Sequence, residues 1–311
     1  MAAPLVDLPR PVEAGRGGWP WQASPDSTAL ASDAAALPLI TIVTPSFNQA
    51  GYVEASIRSV LLQEYPRLEY IVMDGGSTDG SVEIIRRYES HLTHSRIGAD
   101  SGQSDALRRG FGLANGDVLA WLNSDDLLLP GTLHRVGRAF FREPDMETLV
   151  GGTVIIDEQG LVVRNVLGLP RIVRGQRETF ESLLLRRGLT FYQAASFWRS
   201  SAYAAVGGLD PTLEFAMDYD LFLRLARRRP LRHLDRLLAA YRVHPRSKTR
   251  LLHSVYEREL SKLFRKYGGG AVSPRRSDMV RAMKWISAAA RNLPVRVAAA
   301  TGRIKLPVGL N

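Results

Sequence analysis

Asp125 and Asp126 stand side by side at the end of an apolar run, Val118-Leu119-Ala120-Trp121-Leu122. Two adjacent carboxylates closing a buried strand repel one another unless a cation or a proton offsets the charge. In an open α/β sheet that end of a strand is where ligands bind. Hard oxygen ligands there suit Mg²⁺ or Mn²⁺ holding a substrate phosphate. Three more chemically capable sites fall at or near the ends of expected elements: Asp74 closing LEYIVMD, Asp218 with Asp220 in FAMDYDLFLR, and His244 closing LAAYRVH. Singly, each has a plainer reading, Asp74 as a turn initiator, Asp126 or Asp218 as a helix N-cap, and His244 as a hydrogen-bonded surface histidine. Their joint placement at strand ends and helix starts points to one shared site.

These residues need elements to hold them. LITIVT from Leu39 is a continuous β-branched run of the kind a doubly covered parallel strand requires. A helix with Val53, Ile57, Val60 and Leu61 on one stripe follows, then the strand to Asp74, the turn GGSTDGS and the helix SVEIIRRYES, capped by Asp79. Another helix covers Ser104 to Ala114 before the strand that reaches Asp125. This order predicts a Rossmann-like, mostly parallel sheet flanked by helices. Past Pro130 the pattern predicts a helix at Leu133–Phe141 and strands at Thr148–Ile156 and Leu161–Val166. A basic, helix-like region from Phe180, the strand FYQAASFW and a helix in which Leu221 and Leu225 share a face complete it.

Residues 1–38, rich in Pro, Gly, Ala and Ser, read as a disordered leader; 39–270 form the catalytic domain, and 271–311 a basic helical tail. The chain has 311 residues and no cysteine, which excludes disulfides and thiolate metal sites and suits a reducing cytoplasm. No apolar run approaches the ~20 residues that span a bilayer, and the N-terminus carries no export signal. The net charge of +10 is uneven: Met1 to Asp220 has 19 Lys/Arg against 27 Asp/Glu, and Leu221 to Asn311 has 22 against 4. That asymmetry points to an anionic partner, membrane headgroups or nucleic acid. From Val280 to Leu293, apolar residues at helical spacing beside Arg281, Lys284 and Arg291 fit either an interfacial anchor or an ordinary surface helix.

TIVTPSFNQAGYVEASIRSVLLQEYPRLEYIVMDGGSTDGS, DSGQSDALRRGFGLANGDVLAWLNSDD, GGLDPTLEFAMDYDLFLRLARR and YRVHPRSKT, in that order, resemble the inverting family 2 glycosyltransferases of GT-A fold over roughly residues 39–250. The resemblance implies an α/β GT-A domain with a small additional β element. It implies a nucleoside-diphosphate sugar donor, a Mn²⁺ or Mg²⁺ cofactor and a saccharide or polyprenyl-linked acceptor, in surface polysaccharide or glycolipid synthesis. It assigns Pro45, Ser46 and Asn48 to the nucleotide pocket and Asp74 to the base. Asp125 and Asp126 fall to the diphosphate and metal, with His244 assisting, and Asp218 is the catalytic base. The chain departs from the family at Asn123, where the frequent DSDD-type sequence has an acid, at Met217 before Asp218, and at Arg108 and Arg109. The two arginines fit a donor-phosphate contact as well as a solvated helix face. Two other readings stand beside this one. A nucleotidyltransferase would want a Gly- and Lys/Arg-rich phosphate loop, which TPSFNQAG does not offer. A basic nucleic-acid-binding protein would want interleaved aromatics, so nucleic acid is not the expected partner.

Overall fold

A computed structural model describes residues 8–12, 17–24, 36–248, 253–268, 292–301 and 306. The first half alternates strand and helix: β1 (Ile40–Ser46), α1 (Val53–Leu61), β2 (Leu68–Asp74), α2 (Ser81–Arg87), β3 (His94–Ile97), α3 (Gln103–Gly112) and β4 (Val118–Trp121). The strands lie parallel in the order β3-β2-β1-β4. Every residue of β1 and β4 is buried, because helices cover both faces and leave no solvent side for polar residues. α3 lies close over β1, where a Cβ on Gly110 would come 2.5 Å from Val43 Cγ1. Glycine admits that approach, which fixes Gln103 at the helix start.

Beyond β4 the sheet becomes mixed. It continues through β8 (Ser196–Arg199), β6 (Thr148–Ile156), β9 (Arg232–Arg242) and β5 (Leu127–Leu128), with β7 (Ile172–Val173) on β6. β6 and β9 are parallel; the other pairs are antiparallel. The helices α4 (Thr132–Arg142), α5 (Phe180–Arg186), α6 (Ser200–Ala205), α7 (Met217–Arg228) and α8 (His253–Lys266) complete it. One apolar cluster joins Val43, Trp121 and Trp198 to Leu221 and Leu225 of α7, and a second holds Ile40, Ile42, Val72 and Leu122. α7 is thus clamped by the face that its sequence predicts.

Three local expectations change. β4 ends at Trp121, so the paired acids sit in a turn between β4 and β5 and not on the last residues of a strand. Instead of a strand at 161–166, isolated bridges tie Ile156 to Val162 and Arg164 to Pro170 in a hairpin arm. FYQAASFW begins with a 3-10 turn at Gln193–Ala195 before β8.

Part of the leader is also built into the fold. Residues 8–12 and 17–24 cross α1. Glu54 and Arg58, one turn apart and both buried, need partners. Arg58 donates to the carbonyls of Pro9 (2.9 Å), Pro20 (3.2 Å) and Trp21 (3.1 Å), and Glu54 accepts from Val12 N at 2.9 Å. Trp19, 3% exposed, donates from Nε1 to Leu128 O at 2.8 Å. We expect Trp19→Ala to cost ~3–5 kcal/mol by urea unfolding; an unchanged midpoint would mean the leader is not part of the cooperative unit. Among the described residues no helix is long and apolar enough to cross a membrane. The expected tail helix at 280–293 lies outside the described residues except for 292 and 293, which begin a helical turn running to 300.

Candidate active site

The acidic turn is riveted from β9. Asp126 is 1% exposed; its Oδ1 accepts from Arg242 N at 3.0 Å, and Asn123 Nδ2 approaches its Oδ2 at 3.4 Å. Burial first, then the charge of Asp125, pushes the Asp126 carboxyl well above the ordinary range. Asp125 remains partly open, with Oδ2 3.1 Å from His244 Nε2. Arg242 donates from Nε to Asp125 O at 2.8 Å and from Nη1 to Asp157 O and Glu158 O at 2.9 and 3.0 Å. Its guanidinium lies 5.0 Å over the Tyr52 ring, and the His244 ring is 4.7 Å from the same tyrosine. An open cleft of about 270 Å³ lined by Asp157, Glu158, Gln159, Val243, His244 and Pro245 adjoins the imidazole. Sequence reasoning passed over Arg242 and Tyr52. The only signal was an arginine two residues before His244; β9 ends at that arginine, so His244 lies two residues past the strand and not at its end as expected.

The end of β1 meets the end of β2 through a hydrogen-bonded loop. Pro45 is paired with Met73 and Ser46 with Asp74. Ser46 O accepts from Gly75 N at 2.9 Å, while Ser46 Oγ is buried with no partner among the described residues. Asn48 adopts a positive φ of 52°, accepts from Thr78 N at 2.9 Å and donates its own N–H to Ser77 Oγ at 2.8 Å. Asp74 is 2% exposed; Oδ1 accepts from Gly76 N (3.1 Å) and Ser77 N (2.8 Å), and Oδ2 from Ser77 Oγ (2.7 Å). It is therefore the nucleus of its turn. Asp79 accepts from Ser81 N at 3.1 Å and Ala50 N at 2.9 Å, although the residue at the α2 N-cap position is Gly80. Arg109 is engaged by Asp105 at 2.7 Å along the exposed side of α3, and Arg108 beside it is exposed.

Asp218 and Asp220 part company on α7. Two residues along a helix are about 200° apart, so they face opposite ways. Asp220 is fully buried; it accepts from Arg224 Nε at 2.8 Å and Tyr267 OH at 2.7 Å. That network binds α7 to α8. Asp218 is only partly covered, and its Oδ1 accepts from Tyr219 N at 2.6 Å. Loss of hydration pushes its carboxyl up to about 6, against the pull of Tyr219 N–H and the cation of Lys248. Lys248 donates to Glu214 O at 2.5 Å and Gln103 Oε1 at 3.0 Å, and Gln103 Nε2 donates to Asn123 Oδ1 at 2.7 Å. A polar chain thus runs from the acidic turn through Gln103 to Lys248, whose charge reaches Asp218. Neither Gln103 nor Lys248 stands out in the sequence.

Asp125 and His244, a partly open carboxylate and an imidazole 3.1 Å apart, are oxygen and nitrogen donors of the kind Mn²⁺ or Mg²⁺ sites use. His244 Nδ1 is buried with no hydrogen-bond partner among the described residues. Among the described residues no group of three or more His, Asp or Glu side chains is placed to hold a metal ion. Asp126 faces the backbone of Arg242. An incomplete set fits ions of this class, which commonly take one or two carboxylates and fill the remaining positions with water and substrate phosphate.

A family model described as Glycosyl transferase family 2 matches residues 41–198. An uncharacterized glycosyltransferase of Mycobacterium tuberculosis is 30% identical over 195 residues, covering 61% of this chain and 69% of that protein. Among solved structures, S. aureus TarS 1-349 in complex with UDP-GlcNAc aligns with a TM-score of 0.57 at 15% identity, over 79% of this chain and 71% of the other. The mannosyltransferase PcManGT from Pyrobaculum calidifontis, in complex with GDP-Man and Mn²⁺, aligns with a TM-score of 0.51 at 19% identity, over 91% and 82%. At those identities the likeness to the solved structures is one of fold.

Proposed function

Because this chain belongs to glycosyl transferase family 2 and is a glycosyltransferase, we propose that it inverts the anomeric centre of a nucleoside-diphosphate sugar. It passes the sugar to a hydroxyl of a saccharide or lipid-linked acceptor in surface polysaccharide or glycolipid synthesis. The observation that carries this reading is the partly covered Asp218, with a carboxyl pushed up to about 6, linked through Lys248 and Gln103 to the turn that holds Asp125, against which His244 rests.

Asp125 and His244, with Asp126 behind them, are the residues that would hold a divalent cation, whose charge offsets that of the departing diphosphate. Asp218 takes the proton of the acceptor hydroxyl as that oxygen attacks the anomeric carbon; the bond to the diphosphate breaks in the same displacement, which inverts the centre. A group titrating near 6 is ionised at neutral pH yet still basic enough to accept that proton. Arg242 keeps Asp125 and Asp126 fixed, so little reorganisation is required when the donor arrives. Pro45, Ser46, Asn48 and Asp74 frame the nucleoside end of the donor. The TarS and PcManGT complexes, which hold UDP-GlcNAc and GDP-Man, support a donor of this class.

The test is a screen of UDP- and GDP-sugars for slow hydrolysis with Mn²⁺ and with EDTA; no turnover of any donor with Mn²⁺ overturns the proposal. Asp74 gives a second check. If it contacts the base, Asp74→Ala weakens free nucleoside diphosphate and nucleotide sugar by the same factor, ~10-fold for one charged hydrogen bond of ~1.5 kcal/mol. Calorimetry in which the mutant binds free nucleotide normally would remove Asp74 from that role.

A further inference from the structure

We propose that the hairpin arm 161–171 and the helix 292–301 together form a surface that enters the headgroup layer of an anionic bilayer. The proposal rests on the lipid-linked branch of the acceptor reading and names the part of this chain that would meet the membrane.

Nine large hydrophobic side chains are exposed among the described residues, and five belong to these two segments: Leu161, Val166, Leu167, Leu293 and Val297. Val166 and Leu167 stand at the tip, 102% and 76% exposed. The tip is built rather than slack. Asn165 Oδ1 accepts from Leu167 N at 2.9 Å and Leu169 N at 3.0 Å, and Arg164 Nη1 donates to Gly168 O at 3.0 Å. Those bonds satisfy tip backbone groups, as a segment entering an apolar layer requires.

The helix is fastened beside the arm. Asn292 Oδ1 accepts from Arg174 N at 3.0 Å, and Arg296 Nη2 donates to Ile172 O at 3.3 Å. Val295 and Ala299 pack against the cluster containing Val162 and Ile172. That docking leaves Leu293 and Val297, one turn apart, on a solvent-facing stripe.

The surrounding charge is positive. Arg164 and Arg171 are exposed on the arm. Burial first, then the charge of Arg171, lowers the pKa of Arg296. Among the described residues neither guanidinium forms a salt bridge, and Arg296 Nε is buried with no partner. A lipid phosphate meeting the exposed Arg164 and Arg171 supplies an anion to this positive surface. In sequence, Leu221 to Asn311 carries 22 basic residues against 4 acidic. Apolar tips ringed by arginine are the chemistry of an interfacial site. Nucleic acid would call for aromatic stacking partners, and the exposed apolar residues here are all aliphatic.

The experiment is co-sedimentation of the full chain with vesicles of phosphatidylcholine alone and of phosphatidylcholine mixed with phosphatidylglycerol. Hydrolysis of a nucleotide sugar in solution is measured in parallel. Wild type should bind the mixed vesicles and bind the neutral ones weakly. Val166→Ser with Leu167→Ser should reduce binding to the mixed vesicles tenfold or more. Arg171→Gln with Arg296→Gln should do likewise, at about fivefold per arginine. Hydrolysis in the Val166→Ser, Leu167→Ser protein should match wild type, which also shows that the fold is intact. Equal binding to both vesicle types, or binding by both double variants that equals wild type, overturns the proposal. Binding to single-stranded DNA with none to vesicles overturns it in favour of nucleic acid. Absent hydrolysis in wild type strikes the glycosyltransferase chemistry and leaves the vesicle result standing on its own.

Discussion

Replacing Asp218 with asparagine lowers sugar transfer by ~10²-fold or more, the usual contribution of a general base, and leaves donor affinity nearly unchanged. The separation of the two effects follows from where the residue acts, since a base is needed only when an acceptor hydroxyl loses its proton. The pH dependence carries a definite sign. As the proposed base, Asp218 would work ionised, and its carboxyl is pushed up to about 6, so transfer is expected to rise with pH through that value and level off above it. In Asp218→Asn that limb disappears, and the residual rate is flat across it. Stability moves the other way. A carboxyl raised in the folded protein holds more protons there than in the unfolded chain between the ordinary carboxylate range and about 6, so its ionisation destabilises the fold as pH rises through that window. Asp218→Asn is therefore expected to melt higher than wild type at neutral pH, a functional residue held at a cost to stability.

Asp220 supplies the contrast. Its carboxylate is buried and holds Arg224 and Tyr267. Asp220→Asn breaks one side of a buried ion pair, which costs ~3–5 kcal/mol of stability, while the folded fraction retains its transfer rate. If folded Asp220→Asn is inactive and Asp218→Asn is active, the base belongs to the other aspartate.

Chelation removes donor binding, and Asp125→Ala reproduces the loss in the presence of Mn²⁺. A cation facing a diphosphate supplies several kcal/mol, so calorimetry with a matching donor should register at least a ~10²-fold weakening in EDTA. Asp125 is the informative position because it is the open carboxylate, 3.1 Å from His244. His244→Ala is expected to weaken binding less, since it removes one neutral ligand and no charge. Asp126→Ala carries a second consequence: it strips Arg242 N of its acceptor, so a fall in melting temperature should accompany its loss of binding. Donor affinity that survives both EDTA and Asp125→Ala takes the metal out of the mechanism.

The sequence by itself determined the parts whose information is local. Ile40–Ser46, Leu68–Asp74 and Thr148–Ile156 form strands where continuous apolar runs predict them, because burial on both faces leaves that mark on consecutive residues. α7 starts beside Asp218 and buries Leu221 and Leu225 for a similar reason: a helix repeats every 3.6 residues, and its packed face is written in the spacing. The motif order also sufficed for the family. Short edge elements left no such mark. β3 is the half-exposed HSRI, and β5 and β7 have two residues each. The Pro- and Gly-rich composition of residues 1–38 says nothing of Trp19, or of the buried Glu54 and Arg58 that need backbone partners. Which charges face one another was settled only by the tertiary structure. Arg242 reaches Asp125 across 117 positions and Lys248 reaches Gln103 across 145. Locally, Asp220 has Arg224 one turn on where Asp218 has Phe222, and Tyr267 just past the end of α8 completes the distinction. A side chain's type sets what chemistry it can do; its hydration and its charged neighbours set which of those things it does. Those are supplied by segments that meet only when the sheet closes β9 against β5 and β6.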